Sequence, residues 1–327
     1  MVALFKDRSP VTIFWLFVLS IIVHSHFFVH APTILATTSD GLLAAFINQY
    51  LSPLSPAFII LIYHAAILLQ ALRINHLFTD HRMYSKVNYF PAMVYILLTG
   101  LFTEWSSLTP ALLANFLVIW FFAKIVQLYN SPHPKTLLFN IGLLTGISTI
   151  LYHPLAMLLP VAFFALMILR PFNITEGVVL IMGVISPFYF LVSYLYLTDN
   201  LLTIKKYIPL WQFHLLNIPA SPVFFVTIAV IILVLFIAMY FWQQENRRLL
   251  IQVRNNWVVL LVMLLVMLPV PFINKNAGLE SLLLCIVPAS PIIAKGFLGP
   301  RKNTLPLIMF LALIVVGILK NWQIVKQ

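Results

Sequence analysis

Residues 221–243, SPVFFVTIAVIILVLFIAMYFWQ, contain no charged side chain along a run that is long enough to cross a lipid bilayer as one helix. The rest of the chain has the same character, because 62% of its 327 residues are hydrophobic and only 8% are charged. A soluble domain carries roughly a quarter charged residues. The sequence therefore belongs in a membrane, and no soluble domain is predicted within it.

Apolar runs of this kind recur along the whole chain, separated by short polar or proline-rich segments. A crossing helix needs roughly 17–25 residues, so we predict an all-α polytopic membrane protein with about eleven transmembrane helices, within a range of about nine to thirteen. Together they form a single integral membrane domain over residues 1–327. The predicted spans lie near residues 10–30, 55–74, 89–104, 109–128, 136–152, 155–170, 177–197, 221–243, 257–273, 279–295 and 304–320.

The basic residues predict the orientation of the chain in the membrane. Lys6 and Arg8 precede an apolar run, as in a secretory signal, but the run from Val11 to Val29 is long for a signal and predicts an uncleaved first span. With a cytoplasmic N-terminus, most of the 19 lysines and arginines, including every arginine, fall on the cytoplasmic side. The basic residues in cytoplasmic loops account for the net charge of +11, so nucleic acid is not a predicted partner.

Four acidic residues fall on the outer side near the ends of predicted spans: Asp40, Glu104, Asp199 and Glu280. They are candidates to converge on one site, and the alternative is that they are ordinary polar residues at helix ends. In SDG, ahead of LLAAF, either Ser39 or Asp40 also fits the N-cap of a helix. Glu104 interrupts an apolar stretch, and an acid at membrane depth needs a partner or water.

Histidines are concentrated in residues 23–41, VHSHFFVHAPTILATTSDG. His26 and His30 are four residues apart and would share a helix face. No HExxH motif accompanies them, so we predict interfacial histidines that face a watery cavity and no metal site. His64 and His153 belong to the same group, with plain packing as the alternative for His153. The single cysteine, Cys285, excludes an intrachain disulfide.

The longest outer loop, residues 197–222, combines apolar residues with the pair Lys205 and Lys206. This pattern predicts a short helical segment that lies in the membrane interface. The lysines would either receive a lipid phosphate or diphosphate, or serve as ordinary interfacial anchors. His214 in the same loop is a further candidate for substrate contact. Residues 40–51, DGLLAAFINQYL, predict a second short interfacial helix, in the first outer loop.

Two segments carry a resemblance: NYFPAMVYILLTGLFTEWSSLTPALLANFLVIWFFAKIVQLY, residues 88–129, and LFNIGLLTGISTILYHPLAMLLP, residues 138–160. Over roughly residues 70–200 the chain resembles an uncharacterised family of bacterial polytopic inner-membrane proteins. The order of elements also resembles the membrane core of the GT-C glycosyltransferases. That core would occupy about residues 1–220, followed by additional helices over about residues 221–327.

The resemblance implies a transferase that uses a polyprenyl-phosphate-linked sugar at the outer face of a bacterial inner membrane. In GT-C enzymes the first outer loop holds a catalytic acid, which corresponds to Asp40, and a later outer loop holds a second acid, which corresponds to Glu104. The lysine pair would stabilise the phosphate, and a divalent cation is the one cofactor that this interpretation admits. The assigned substrate-binding candidates are Lys205, Lys206, His30, His153 and His214.

Two other classes of protein remain open. A non-catalytic membrane subunit or scaffold of an envelope assembly would explain the small number of polar residues, with GLLTG and ALLAN serving helix packing and other membrane proteins as partners. In a transporter or flippase, His64 and Glu104 would form a proton relay. Whether the protein is an enzyme therefore depends on whether the outer acids share one cavity.

Overall fold

The computed structural model describes residues 2–6, 9–36, 40–129, 131–171, 173–216, 221–246, 249–274, 277–300, 302 and 304–324. The regular secondary structure of these residues is helical, with only isolated β-bridges and no β-strand among them. The α-helices of this part are α1 Pro10–Val23, α2 Leu42–Phe46, α3 Pro56–Asp80, α4 Phe90–Thr99, α5 Pro110–Val126, α6 Pro134–Leu151, α7 Leu158–Leu169, α8 Ile174–Leu197, α9 Pro222–Asn246, α10 Ile251–Met267, α11 Val270–Ile273, α12 Leu283–Leu298 and α13 Thr304–Ile324.

Seven helical segments within the described residues are long and apolar enough to cross a membrane. The protein is therefore a multi-pass membrane protein, whereas the count of eleven spans and the GT-C arrangement stay predictions. Shorter apolar helices include α1, α4, α5 and α7 with its preceding turn. The seven long segments are Pro56–Asp80, Pro134–Leu151, Ile174–Leu197, Pro222–Asn246, Ile251–Ile273, Leu279–Leu298 and Thr304–Trp322.

Proline and hydroxyl residues explain where many helices begin. Pro56, Pro110 and Pro134 occupy the first turn of α3, α5 and α6, where a missing backbone N–H costs nothing. The Thr109 hydroxyl caps α5 by accepting a hydrogen bond from the Leu112 N–H at 3.1 Å. The Ser9 hydroxyl caps α1 in the same way. These short signals divide a nearly continuous apolar sequence into separate helices.

Helices α4 and α12 form the centre of the molecule. In the span Leu279–Leu298, 83% of the most apolar stretch is buried, and every residue of α4 is buried. By contrast, 17% of that stretch is buried in α8 and 22% in α9. The peripheral helices α8 and α9 therefore present apolar side chains outward, as a lipid solvent requires.

Helices α6 and α8 run parallel and pack closely through glycine. A Cβ atom at Gly142 would overlap the carbonyl oxygen of Leu180, and one at Gly183 would overlap that of Phe139. Gly146 approaches the backbone of Val184 in the same manner. The GLLTG stretch therefore serves helix packing, as small residues do between membrane helices.

The helix ends fall into two groups, which we name by one residue each. At the Asp40 end, the Leu35 N–H bonds to the Leu108 carbonyl at 3.3 Å and the Gln212 N–H bonds to the Ile273 carbonyl at 2.9 Å. At the Arg82 end, the Trp257 indole N–H donates to the Met83 carbonyl at 3.2 Å. All arginines of the described residues lie in or near this second end: Arg73, Arg82, Arg170 and Arg254.

Both loops that were predicted to hold interfacial segments contain short helical elements. In the first, α2 continues into one π-helical turn, Ile47–Leu51. In residues 198–216 the element is a 3-10 turn, Leu201–Lys206, with Leu202 94% exposed. The first predicted span, 10–30, ends earlier, since α1 stops at Val23 and a 3-10 turn, Ser25–Phe28, follows. His26 and His30 are therefore not on one α-helix.

Candidate functional site

Asp40 lies at the base of the first outer loop and is only 7% exposed. Its carbonyl oxygen accepts a hydrogen bond from the His153 N–H at 3.2 Å, which ties it to the segment between α6 and α7. The next residue, Gly41, has φ +112° and packs so closely on α6 that a Cβ would lie 2.6 Å from the Leu151 carbonyl oxygen. Only glycine fits there. Gly41 also occupies the N-cap position of α2, so Asp40, a candidate for that position, is not the N-cap.

Tyr152 follows α6 directly and precedes His153, whose backbone N–H bonds to Asp40. Its side chain is 1% exposed, and this burial raises the pKa of the phenol well above its ordinary value. The negative charges of Glu280 and Asp40 raise it further, so Tyr152 lies within electrostatic range of both carboxylates. Glu280 is held by the Gly278 N–H, which donates to its Oε1 atom at 2.7 Å. The phenol therefore stays protonated and keeps its O–H as a hydrogen-bond donor.

Glu104 lies in the neighbouring loop, between α4 and α5. Its side chain is partly buried, and the Thr103 hydroxyl donates to its Oε2 atom at 3.1 Å. The adjacent Trp105 indole N–H donates to the Leu279 carbonyl at 2.9 Å, next to Glu280. A hydrogen bond therefore connects the loops of Glu104 and Glu280 directly. The Glu104 carboxylate has a polar partner within the protein and does not face lipid without one.

An apolar groove of about 380 Å³ begins where this acidic site ends. Leu42 follows Gly41 and Leu151 precedes Tyr152, and both side chains line the groove. Its other walls belong to α6 and α8, the latter of which is exposed to lipid along most of its length. The lining residues are Leu42, Leu143, Ile147, Ile150, Leu151, Ser186, Pro187, Phe190 and Leu191. We call this cavity the α6–α8 groove.

The other residues that the sequence singled out are more dispersed. His153 is 3% exposed and meets Asp40 through its backbone. Lys205 and Lys206 are exposed on the 3-10 turn that follows α8, one wall of the groove. His214 is partly buried, and its backbone N–H donates to the Phe272 carbonyl at 3.0 Å. His30 is exposed. The structure therefore brings Asp40 and His153 together with Glu280, another of the four outer acids, and with Tyr152, which the sequence did not single out.

A chain of buried polar groups crosses from α3 to the Glu104 loop. The Nδ1 atom of His64 lies 2.8 Å from the Ser20 hydroxyl, and the Ser20 carbonyl lies 3.0 Å from Nδ1 of His24. The other nitrogen of His24 is 3.0 Å from the Tyr63 hydroxyl, which donates to the Trp105 carbonyl at 2.9 Å. We call these groups the histidine chain.

When His24 is neutral, the histidine chain has fewer donor hydrogen atoms around His24 and Tyr63 than hydrogen-bond contacts that need one. A neutral imidazole supplies one N–H and Tyr63 supplies one O–H, yet the contacts of Ser20, His24, Tyr63 and Trp105 need three hydrogen atoms. An imidazolium would supply all three, but burial opposes this charge and lowers the pKa of His24 to about 3. Tertiary packing alone places Ser20 and Tyr63 beside the histidines, so no local sequence signal predicts this arrangement.

The fold and these groups define a polytopic helical membrane protein with a buried acid–tyrosine site beside an apolar groove. The described residues include no group of three or more His, Cys, Asp or Glu side chains placed to hold a metal ion. Comparison with protein-family models, curated proteins and solved structures finds no match for this chain.

Proposed function

We propose that this protein is a GT-C-like glycosyltransferase that uses a polyprenyl-phosphate-linked sugar at the outer face of a bacterial inner membrane. One observation supports it most: the buried Asp40, with Tyr152 and Glu280, lies at the end of the α6–α8 groove. A lipid-linked sugar has a long apolar chain and a polar head. An apolar groove that leads to a polar site complements both parts.

The chemistry assigns a role to each group. Asp40 accepts the proton of the acceptor hydroxyl, whose oxygen forms a bond to the anomeric carbon of the sugar. The bond from that carbon to the phosphate oxygen breaks, and the electron pair leaves with the polyprenyl phosphate. Tyr152 donates a hydrogen bond to the polar head, and Lys205 and Lys206 offset the charge of the leaving phosphate.

The proposal requires the Asp40 end to face outward. The described arginines collect at the Arg82 end, as the positive-inside rule expects of a cytoplasmic face. The Asp40 end is then periplasmic, where lipid-linked sugars serve as donors because nucleotide sugars are absent.

A cysteine-labelling experiment tests this orientation. We expect Lys206→Cys to react with a membrane-impermeant maleimide in intact cells and Lys86→Cys to react only after permeabilisation, since both lysines are exposed at opposite ends. The background is low, because Cys285 is the only cysteine and is 7% exposed. The reverse pattern would place Asp40 in the cytoplasm and contradict the proposal.

Filling the groove tests the assignment of the donor. We expect Ile147→Trp to raise the KM for a radiolabelled polyprenyl-phosphate sugar by about tenfold or more with little change in kcat, because the indole occupies the space of the lipid chain. Ile232→Trp on α9 is the matched control, since Ile232 is 48% exposed and lies outside the groove. Equal KM values for both variants would show that the groove does not hold the donor.

A second candidate function, a proton-coupled transporter or flippase, is favoured by the histidine chain. The chain links His64 to the Trp105 carbonyl, adjacent to Glu104. Tyr63→Phe keeps the ring, which is fully buried, and removes the hydroxyl that joins His24 to Trp105. In proteoliposomes with a pH gradient, a transporter would lose most proton uptake in this variant, whereas the transferase proposal expects no uptake from either protein.

A further inference from the structure

A second cavity, of about 400 Å³, lies at the Arg82 end, far along α3 from the acidic site. It is formed by the last turns of α3 and the loop that leads to α4. Two cationic side chains and no carboxylate line it. The lining residues with polar groups in their side chains are Asn75, Thr79, Arg82, Tyr84, Ser85, Lys86 and Asn88.

Asn75 is the buried polar group that this cavity leaves unsatisfied. Its side chain is 6% exposed and its Oδ1 atom has no hydrogen-bond partner. The nearby Thr79 hydroxyl cannot serve, because it donates to the Asn75 backbone carbonyl at 2.9 Å. A buried acceptor without a donor is costly, so the cavity favours an occupant that carries a hydrogen-bond donor.

The loop on the other side of the cavity is held in shape by its own hydrogen bonds. The Asn88 amide donates to the Lys86 carbonyl at 2.8 Å and accepts from the Phe90 N–H at 3.0 Å. Arg82 has φ +48°, and its N–H bonds to the Thr79 carbonyl at 3.0 Å. These hydrogen bonds fix the backbone of the cavity, and the exposed residues Arg82 and Lys86 lie at its rim.

The charge of the cavity lining is positive even though Glu245 lies close to it. Glu245 accepts a hydrogen bond from the Ser85 hydroxyl at 3.3 Å, but its other oxygen pairs with the buried Lys295 ammonium at 2.6 Å. The acid is therefore neutralised within the protein. The charges of Arg82 and Lys86 remain available to an anion.

We propose that this cavity binds the headgroup of a membrane phospholipid whose phosphodiester is followed by a hydrogen-bond donor, as in phosphatidylglycerol or phosphatidylethanolamine. The phosphate lies against Arg82 and Lys86, and the hydroxyl or ammonium donates to Asn75. A position at the end of a spanning helix matches the depth of headgroups in the adjacent leaflet. The site is independent of the acidic site and of the transferase proposal.

Native mass spectrometry of the full chain, titrated separately with phosphatidylglycerol, phosphatidylethanolamine and phosphatidylcholine, tests this site. We expect one tightly bound lipid of the first two kinds and at least tenfold weaker binding of phosphatidylcholine, whose headgroup lacks a donor. The Arg82→Gln and Lys86→Gln double variant should lose at least tenfold in affinity. Asn75→Leu should bind all three lipids alike.

The matched control is Lys135→Gln with Lys302→Gln, which removes the same charge from two exposed lysines outside the cavity and should leave this binding unchanged. Equal binding of the three lipids to the unaltered protein would overturn the proposal, as would unchanged affinity in the Arg82 and Lys86 double variant. Glycerol 3-phosphate serves as a soluble competitor. Displacement of the lipid by it at equal concentration would overturn the assignment to a membrane lipid, since a free phosphate ester would then suffice.

Discussion

Asp40→Asn is expected to lower transferase activity by about 10²–10⁴-fold, the range that general base catalysis contributes. The substitution keeps the size of the side chain and the backbone contact with His153, but it removes the charge that accepts the proton. Folding and membrane level should therefore stay normal. Transfer from a radiolabelled polyprenyl-phosphate sugar by purified protein measures the effect, and the size-exclusion profile in detergent reports the fold.

Asp199→Asn is the matched control for this prediction. Asp199 is an exposed acid at the same end, and its φ of +57° suits asparagine as well as aspartate. We expect it to keep full activity. Unchanged turnover in Asp40→Asn would remove Asp40 from catalysis, whereas no turnover by the unaltered protein would favour the non-catalytic membrane subunit.

Glu245→Gln is expected to destabilise the protein by about 3 kcal/mol, at the lower end of the range for breaking a buried ion pair. The Lys295 side chain is 1% exposed, and its ammonium lies 2.6 Å from Glu245 and 4.9 Å from the rings of Tyr84 and Trp257. Glutamine keeps an oxygen that can accept a hydrogen bond from this ammonium, but it lacks the negative charge, so only the aromatic faces of Tyr84 and Trp257 then offset the buried positive charge. Because the Glu245 side chain is 32% exposed, water offsets part of the loss.

Unfolding of the purified protein in detergent measures this loss of stability. The double variant Glu245→Gln with Lys295→Met removes both charges and should recover much of it, because no unpaired ammonium remains. A double variant that is as unstable as Glu245→Gln alone would show that the ion pair is not the cause.

The apolar runs predicted the helical membrane class and several helices closely. The predicted spans 177–197 and 221–243 correspond to α8 and α9, where no charge interrupts the pattern. The second span was predicted to end at residue 74, but α3 continues to Asp80. Arg73 and His76 are exposed while Ile74 and Leu77 are buried, so the helix continues with one polar face.

The third span, predicted over residues 89–104, is shorter as a helix, because α4 ends at Thr99 before Gly100. A ten-residue helix is short for a bilayer. It lies at the centre of the bundle, where protein and not lipid surrounds it on every side. A hydropathy pattern does not distinguish these two apolar environments.

The candidate site was predictable only in part. Asp40 stands out locally because it follows the first span and precedes a glycine with a required positive φ. Tyr152 carries no comparable local signal, and Glu280 stands in the sequence only as one of four outer acids, because their neighbourhood arises from contacts between segments that are far apart in the sequence. The histidine chain depends on contacts between α1 and α3 in the same way.

Photo-crosslinking with a diazirine-bearing polyprenyl phosphate tests most directly whether the α6–α8 groove and the Asp40 site together bind a lipid-linked substrate. After irradiation of the purified protein, peptide mapping identifies the labelled residues. The account predicts adducts concentrated on groove residues such as Ile147, Leu151 and Phe190, displaced by unlabelled donor and reduced in Ile147→Trp. Labelling spread evenly over the lipid-exposed faces of α8, α9 and α13, with no displacement by donor, would contradict it.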